Sequence, residues 1–443
     1  MSKFNWLKKA SSLTLVSALA FSLASCQGGN NNSVDNLNDD VTALAKTKRD
    51  GQKKWTVMVH LAADNNLYPF GLEDINEMEA GLKGVNKDDI NVVVLFDGEV
   101  KGDSAVYEIK ADPAGMNKDI ISPKVDNPVA PAGSEIDSGD KTVAAKFVSW
   151  AADKYPADHY AYIIWNHGAG WQREGKAKNG QIIKPIKNAK PYTTAGEIIT
   201  KEFAWDDNGS HMSTVDLNGI LDPVAKKLGR KIDILDFDAC LMAHTEVAYQ
   251  IRNSVDFLVA SEKTEPGAGN PYHDFFGAFA KNPSMGGQDF ASMMVKEYGK
   301  SYSGGSQGSS TVTLSATSTA KLVSDLVPAL NNFGGVLASA DKAALVDLRS
   351  KTENYENADC KDIGHFAKLV SEDARLSNEV KDSAKNVLSA MKSTVVEEFH
   401  SPRLKSNGLV MYFPNKGQAV NARYAKLDYA EQKWDEFLQT FVK

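Results

Sequence analysis

Short apolar runs alternate along the chain with segments of helical period. The runs are WTVMVHLAA (55–63), INVVVLFDG (90–98), YAYIIWNHG (160–168), KIDILDFDAC (231–240) and VDFLVASEK (255–263). Each places apolar residues on both side-chain parities, so both faces of each strand are covered, as in a parallel sheet with crossover helices. Between the runs, Val143, Phe147 and Trp150 fall at i, i+4 and i+7 behind a possible Ser138 cap, and Leu217, Leu221, Val224 and Leu228 form a second stripe. Both stripes predict helix faces turned to a core. After residue 300, TVTLSATS (311–318) reads as a strand, Leu322, Leu326 and Phe333 as helical positions, and GLVMYFP (408–414) as a late strand. No internal repeat is visible.

Composition narrows the function. The 443 residues carry 50 Lys plus Arg against 57 Asp plus Glu, a formal charge of -7, which argues against a nucleic-acid binder. With 42% hydrophobic and 24% charged residues the chain is an ordinary globular protein. Its three cysteines, Cys26, Cys240 and Cys360, are too scattered for a disulfide framework or a Cys-rich zinc site, so each needs its own explanation.

The first of them has a local one. Lys3, Lys8 and Lys9 precede an uncharged run over 10–25 that closes on Leu23-Ala24-Ser25-Cys26. This resembles a bacterial lipoprotein signal, which implies removal of residues 1–25 and acylation of Cys26. Residues 26–50, rich in Asn, Gly and Asp, then read as a flexible tether. The implied location is the bacterial cell envelope, at the outer membrane or cell surface, held by acyl chains.

In open sheets of this kind, ligands bind beyond the carboxyl ends of the strands. Two reactive side chains stand at such ends: His167 closes the third run and Cys240 the fourth. A cysteine nucleophile needs thiolate character, access and a nearby base. The segment LMAHTEVAYQI after Cys240 suits a helix whose first N–H groups would favour the thiolate. Gly168 and Gly170 permit a tight turn at His167, and the backbone amides of Gly168 and Cys240 are the candidate oxyanion donors.

A hydrophobic strand ending in His-Gly, followed by one ending in Ala-Cys, resembles the caspase-like clan of cysteine peptidases. NHGAGW, LDFDACLMAHTEVAYQI, ASEKTEPGAG, the early HLAADNNL and the late GLVMYFP together resemble the clostripain family, in fragments of consistent order from about Trp55 to Pro414. The resemblance implies a caspase-like three-layer sandwich, a mostly parallel sheet with helices on both faces. It places the catalytic domain over 51–318, followed over 319–443 by a C-terminal helical region whose late strand completes or flanks the sheet. It further implies a Cys-His dyad endopeptidase using His167 and Cys240, acting on proteins or peptides after Arg or Lys. Calcium is a possible cofactor on the same ground, although no ligand spacing in the chain demands a metal; Asp206-Asp207-Asn208-Gly209 lacks the spacing of a calcium loop.

The basic specificity can be weighed against strand geometry. Asp236, Asp238 and Cys240 share one parity, and Asp238 lies roughly 6–7 Å from Cys240 along the strand, about the reach of an arginine side chain. The family also puts its basic-residue pocket at this Asp. Glu262 and Glu265, in the loop after the fifth run, add negative potential if they face the same pocket. Between Trp171 and Ser213 lies a long basic insert, and relatives cut themselves between the His and Cys strands, so Arg173, Lys176 and Lys178 are the self-processing candidates. Two other readings use the same residues: an inactive caspase-like surface module that binds peptides, and a Cys-His amidase acting on cell-wall peptides.

Overall fold

A computed structural model describes residues 51–126, 128–129, 133–172 and 202–443. Residues 51–443 form one compact unit. The lipoprotein signal, Cys26, the tether, and Arg173, Lys176 and Lys178 lie outside the described residues.

The strands are β1 (Lys53–Ala63), β2 (Ile90–Gly98), β3 (Ala105–Glu108), β4 (Lys124–Val125), β5 (Ala157–Trp165), β6 (Ile232–Asp238), β7 (Val255–Ala260), the small hairpin β8 (Ser303–Gly305) and β9 (Gly308–Ser309), β10 (Thr313–Ser318), β11 (Cys360–Asp362), β12 (Val395–His400) and β13 (Val410–Tyr412). Among the described residues, nine of them make one sheet in the order β12-β10-β7-β6-β5-β1-β2-β3-β4. The five central strands run parallel, and antiparallel pairs extend both flanks.

Side-chain alternation then sorts the core into two layers. Trp55, Val57, Val59 and Leu61 of β1 pack with the helices Tyr68–Gly81, Tyr272–Phe279 and Gly287–Ser301. Met58 and Ala62 face the opposite layer, formed by Lys141–Lys154, Leu217–Leu228 and the C-terminal helices Val327–Leu337, Ile363–Glu372, Asn378–Thr394 and Lys433–Phe441. The fold is therefore a three-layer α/β sandwich, as the two-parity runs predict.

Four details differ from the sequence reading. The late strand β13 pairs with β11 in a separate two-stranded ribbon, and the strand that extends the main sheet is β12, antiparallel to β10. β12 follows the helix Asn378–Thr394 without a polar break and carries Glu397 and Glu398, so its VVEEFH sequence continues a helical pattern. The helix Lys141–Lys154 is capped by Asp140, whose carboxylate accepts the Thr142 N–H at 2.7 Å; Ser138 is buried and bonded to Asp206 instead. Finally, the helix expected at Cys240 starts only at Thr245 and has six residues. The turn over 241–244 pairs onward with the loop after β7, Leu241 and Ala243 donating to Lys263 and Ser261 at 3.1 and 2.9 Å.

The ribbon has a supporting role. Val410 donates to the Ala243 carbonyl at 3.0 Å, and Phe413, 1% exposed, packs edge-on against Phe366 and Trp434 and beside Phe437 and Phe441. Phe413→Ala should lower the unfolding free energy by about 3–5 kcal/mol in a denaturant titration; a loss below about 1 kcal/mol would show that this aromatic cluster does not anchor the C-terminal helices.

Candidate active site

Parallel strands point their carboxyl ends to one rim, and the register of three neighbours sets what meets there. Leu61 of β1 pairs with Trp165 of β5, and Trp165 pairs with Asp238 of β6. The pairing continues past the strands, since the Asn166 N–H donates to the Asp238 carbonyl at 3.2 Å. His167 and Cys240 follow one and two residues later, on strand tips separated by the usual spacing of about 4.8 Å. The tips touch: a Cβ added at Gly168 would lie 2.2 Å from the Cys240 carbonyl oxygen. Only glycine allows that approach.

Past the strand the chain turns sharply. Leu241 has φ 63°, a left-handed conformation that costs a side-chain-bearing residue about 1–2 kcal/mol and is held here by its bond to Lys263. The Glu265 N–H reaches the Cys240 sulfur at 3.3 Å, and the Gly168 N–H also hydrogen-bonds the thiol. Taken whole, Cys240 and His167 each keep some exposed surface at the rim. His167 Nε2 lies 2.9 Å from Asn66 Oδ1, and its ring leans on Trp205 at 5.6 Å between centroids. Asn166 supports this arrangement from behind, its amide bonding both the carbonyl and the N–H of Trp205.

Asp238 projects to the same face as Cys240, as strand parity requires, and sinks into the sheet at 3% exposure. Its carboxylate accepts the Asn270 N–H at 3.1 Å and the Tyr272 hydroxyl at 2.8 Å. Gly269, at φ 50°, lies so close that a Cβ there would meet Asp238 Oδ1 at 2.6 Å. Glu265 joins it. Burial, the neighbouring Asp238 and Asp236 carboxyls and a hydrogen bond shared with Asp238 keep this carboxyl protonated well above its usual range. Asp236 is fully buried, takes one hydrogen bond from Asn270 at 2.7 Å and is likewise pushed well up.

Glu262 behaves differently from the expectation. Its carboxyl group is buried against Ser406, the Gly408 N–H and Asp362, where it ties the loop to the C-terminal region. It does not join the carboxyls beside Asp238. Asp74 does, although the sequence reading did not single it out. It is 2% exposed, and burial together with the Asp238 and Glu77 charges raises its pKa strongly. The signal was present in GLEDINEMEAG: Gly71, Asp74, Ile75 and Met78 share one buried helix face, so Asp74 is an acid on an apolar stripe.

The result is a buried group of carboxyls with unmatched acceptors. Glu265 shares a hydrogen bond only with Asp238, another acid, Asp236 Oδ1 lacks a partner among the described residues, and the bonds to Glu77 and Asp74 come from neutral groups, the His273 and Tyr272 amides, Gln307 and Trp165. No Lys or Arg of those residues pairs with this group, and Lys263, on the same loop, is drawn to Glu356 at 2.5 Å. Burying acids without a counter-ion is costly.

The same burial sets the reactive groups. Desolvation and the Glu265 charge push the Cys240 thiol up to about 12, against the helix-assisted thiolate expected from the sequence. Packing pushes His167 down to about 4. The unliganded site thus holds a thiol and a neutral imidazole on adjacent strand tips. Among the described residues, no three His, Cys, Asp or Glu side chains are grouped to hold an ion, and Asp206 accepts the Asn208 and Ser138 N–H groups and bonds Asp64. Cys360 and His244 are buried together, 4.0 Å apart, with Gln172 at 3.4 Å from the sulfur.

The model of the clostripain family matches residues 59–441. Clostripain of Hathewaya histolytica is 24% identical over 92% of this chain and 84% of its own. A secreted C11 cysteine protease of Bacteroides thetaiotaomicron, solved with an irreversible peptide inhibitor, superposes with a TM-score of 0.58 at 19% identity, covering 88% of this chain and 99% of that one. An inactive zymogen C11 protease of Parabacteroides distasonis gives 0.58 at 16% identity over 87% and 98%. The sandwich is therefore the caspase-like one, and the chain belongs to the clostripain family of C11 cysteine proteases.

Proposed function

We propose that this protease cleaves proteins or peptides after Arg, and less readily after Lys, with Cys240 as nucleophile and His167 as its acid–base partner. The observation that carries the reading is the buried, cation-free carboxyl group of Asp238, Glu265, Asp236 and Asp74 on the strand face that bears the thiol. A substrate whose scissile carbonyl sits at Cys240 would lower its guanidinium onto Asp238 and Glu265. The planar guanidinium bonds a carboxylate through two N–H groups, which an ammonium does not.

The steps balance on these residues. The thiol proton passes to His167 as sulfur attacks the carbonyl, and the Gly168 and Cys240 amides receive the developing oxyanion. The imidazolium returns that proton to the leaving amine, which gives a thioester. Neutral His167 then takes a proton from water, and the attack of that water on the thioester frees the new carboxyl end and restores the thiol. A guanidinium in the pocket would also favour release of the Glu265 proton, and its positive charge would ease ionisation of Cys240, which burial holds protonated.

Two further readings concern the segments outside the described residues. The lipoprotein-like start supports a tether through acylated Cys26, which would hold the protease at the bacterial envelope. The basic insert supports self-processing at Arg173, Lys176 or Lys178. Both flanks of the insert are anchored: Trp171 and Gln172 are buried on one side, and on the other Phe203 is buried and Glu202 pairs with Arg423 at 2.7 Å. A cut between them would leave two chains held by one core.

Three outcomes test the reading. An Arg-amide reporter should be hydrolysed by the parent and not by Cys240→Ala, and Asp238→Asn should lower the ratio of kcat/KM for Arg over a neutral residue by about 30-fold or more; an unchanged ratio removes Asp238 from specificity. Alkylation of Cys240 by neutral iodoacetamide, followed by mass spectrometry, should climb about tenfold per pH unit from 7 past 9 because the thiol titrates far above neutrality. A plateau near pH 7 would instead reveal a preformed thiolate. Purified parent protein should appear as two co-migrating fragments cut between residues 172 and 202, with Cys240→Ala intact; a variant cut as fast as the parent would rule out self-processing.

A further inference from the structure

The third strand tip at the rim carries an unassigned contact. Asn66 follows β1 in the turn 64–67, and β1 is hydrogen-bonded to β5 on the side away from β6. The three tips therefore present Asn66, His167 and Cys240 in spatial order. The Asn66 amide oxygen lies 2.9 Å from His167 Nε2. Its neighbour Asn65 locks the turn, donating to the carbonyls of Ala62 and Trp205 at 2.8 and 2.9 Å and accepting the Leu67 N–H at 2.9 Å. Asn166 grips those same two carbonyls from β5. One pair of asparagines thus fixes the backbone of the turn while a third reaches the imidazole.

We infer that Asn66 is a positioning residue for His167, its amide oxygen accepting the Nε2 hydrogen so that the other ring nitrogen carries the lone pair that takes the thiol proton. An amide oxygen can only accept, so the bond selects one tautomer of a neutral ring. The contact sits at an exposed rim residue, so it adds little to stability. Trp205 against the ring at 5.6 Å limits tilting, and the Asn66 bond limits rotation about the remaining axis. Asn66 touches neither thiol nor scissile bond in this scheme and acts through the imidazole alone.

The inference rests on His167 being the acid–base group, and the test separates the two. In the full-length protein with an Arg-amide reporter, His167→Ala should abolish turnover. Asn66→Ala should lower kcat about tenfold with KM unchanged and the same thermal midpoint as the parent. Asn66→Asp, which retains the acceptor and adds a charge, should recover more turnover than Asn66→Ala and move the acid limb of the kcat profile to higher pH, because the carboxylate stabilises the imidazolium. The inference is overturned if Asn66→Ala keeps its kcat, if it changes KM alone, or if Asn66→Asp falls below Asn66→Ala, since the last result would mean that the amide donates. Activity surviving in His167→Ala would overturn the dyad itself.

Discussion

The hydrogen-bond ladder between β5 and β6 is the constraint on which the site depends. Parallel strands share a direction, so a register that sets Trp165 against Asp238 must bring the next residues of both chains out at the same rim. The glycine after His167 lets the two tips touch, and the left-handed Leu241 turns the chain back onto the loop that lines the pocket. A one-residue slip would exchange the faces of β6 and point Asp238 and Cys240 into the opposite layer. Apolar burial on both sides of the sheet makes such a slip expensive, so the core that holds the fold also holds the chemistry.

Electrostatics then gives the site its character. The protein buries several carboxyls under a thiol and supplies no cation from its described residues, while Lys263 is bound to Glu356 on the outside of the loop. The free site is consequently proton-rich: Asp74, Asp236 and Glu265 hold protons far above their ordinary range, and the thiol holds its own. This is an expensive resting state relative to an apolar core. Under the proposed function, a basic side chain entering the pocket would offer these acids the charge they lack and would link recognition to the readiness of the thiol.

Much of this was legible in the sequence because it is periodic or local. The run INVVVLFDG coincides with β2 from end to end, and the parity of KIDILDFDAC put Asp238 and Cys240 on one face. What escaped depended on tertiary context. VVEEFH became a strand because β10 offered it an edge. Glu262 and Glu265 stand three residues apart on one loop, yet Glu262 turns to Ser406 and Asp362 and only Glu265 reaches Asp238; no pattern within the loop distinguishes them. The thiol was expected to gain from a helix start that in fact lies at Thr245, beyond a four-residue turn. Asp74 was the reverse case, a visible anomaly on a helix stripe that only the fold could connect to a strand two crossovers away.

The most direct measurement is a crystal structure of the protein inactivated by a peptidyl-arginine chloromethyl ketone. The account predicts a bond from the ketone methylene to Cys240 Sγ, with His167 beside it and the guanidinium seated between the Asp238 and Glu265 carboxyls. A label on Cys360, or a guanidinium left in solvent away from Asp238, would contradict it.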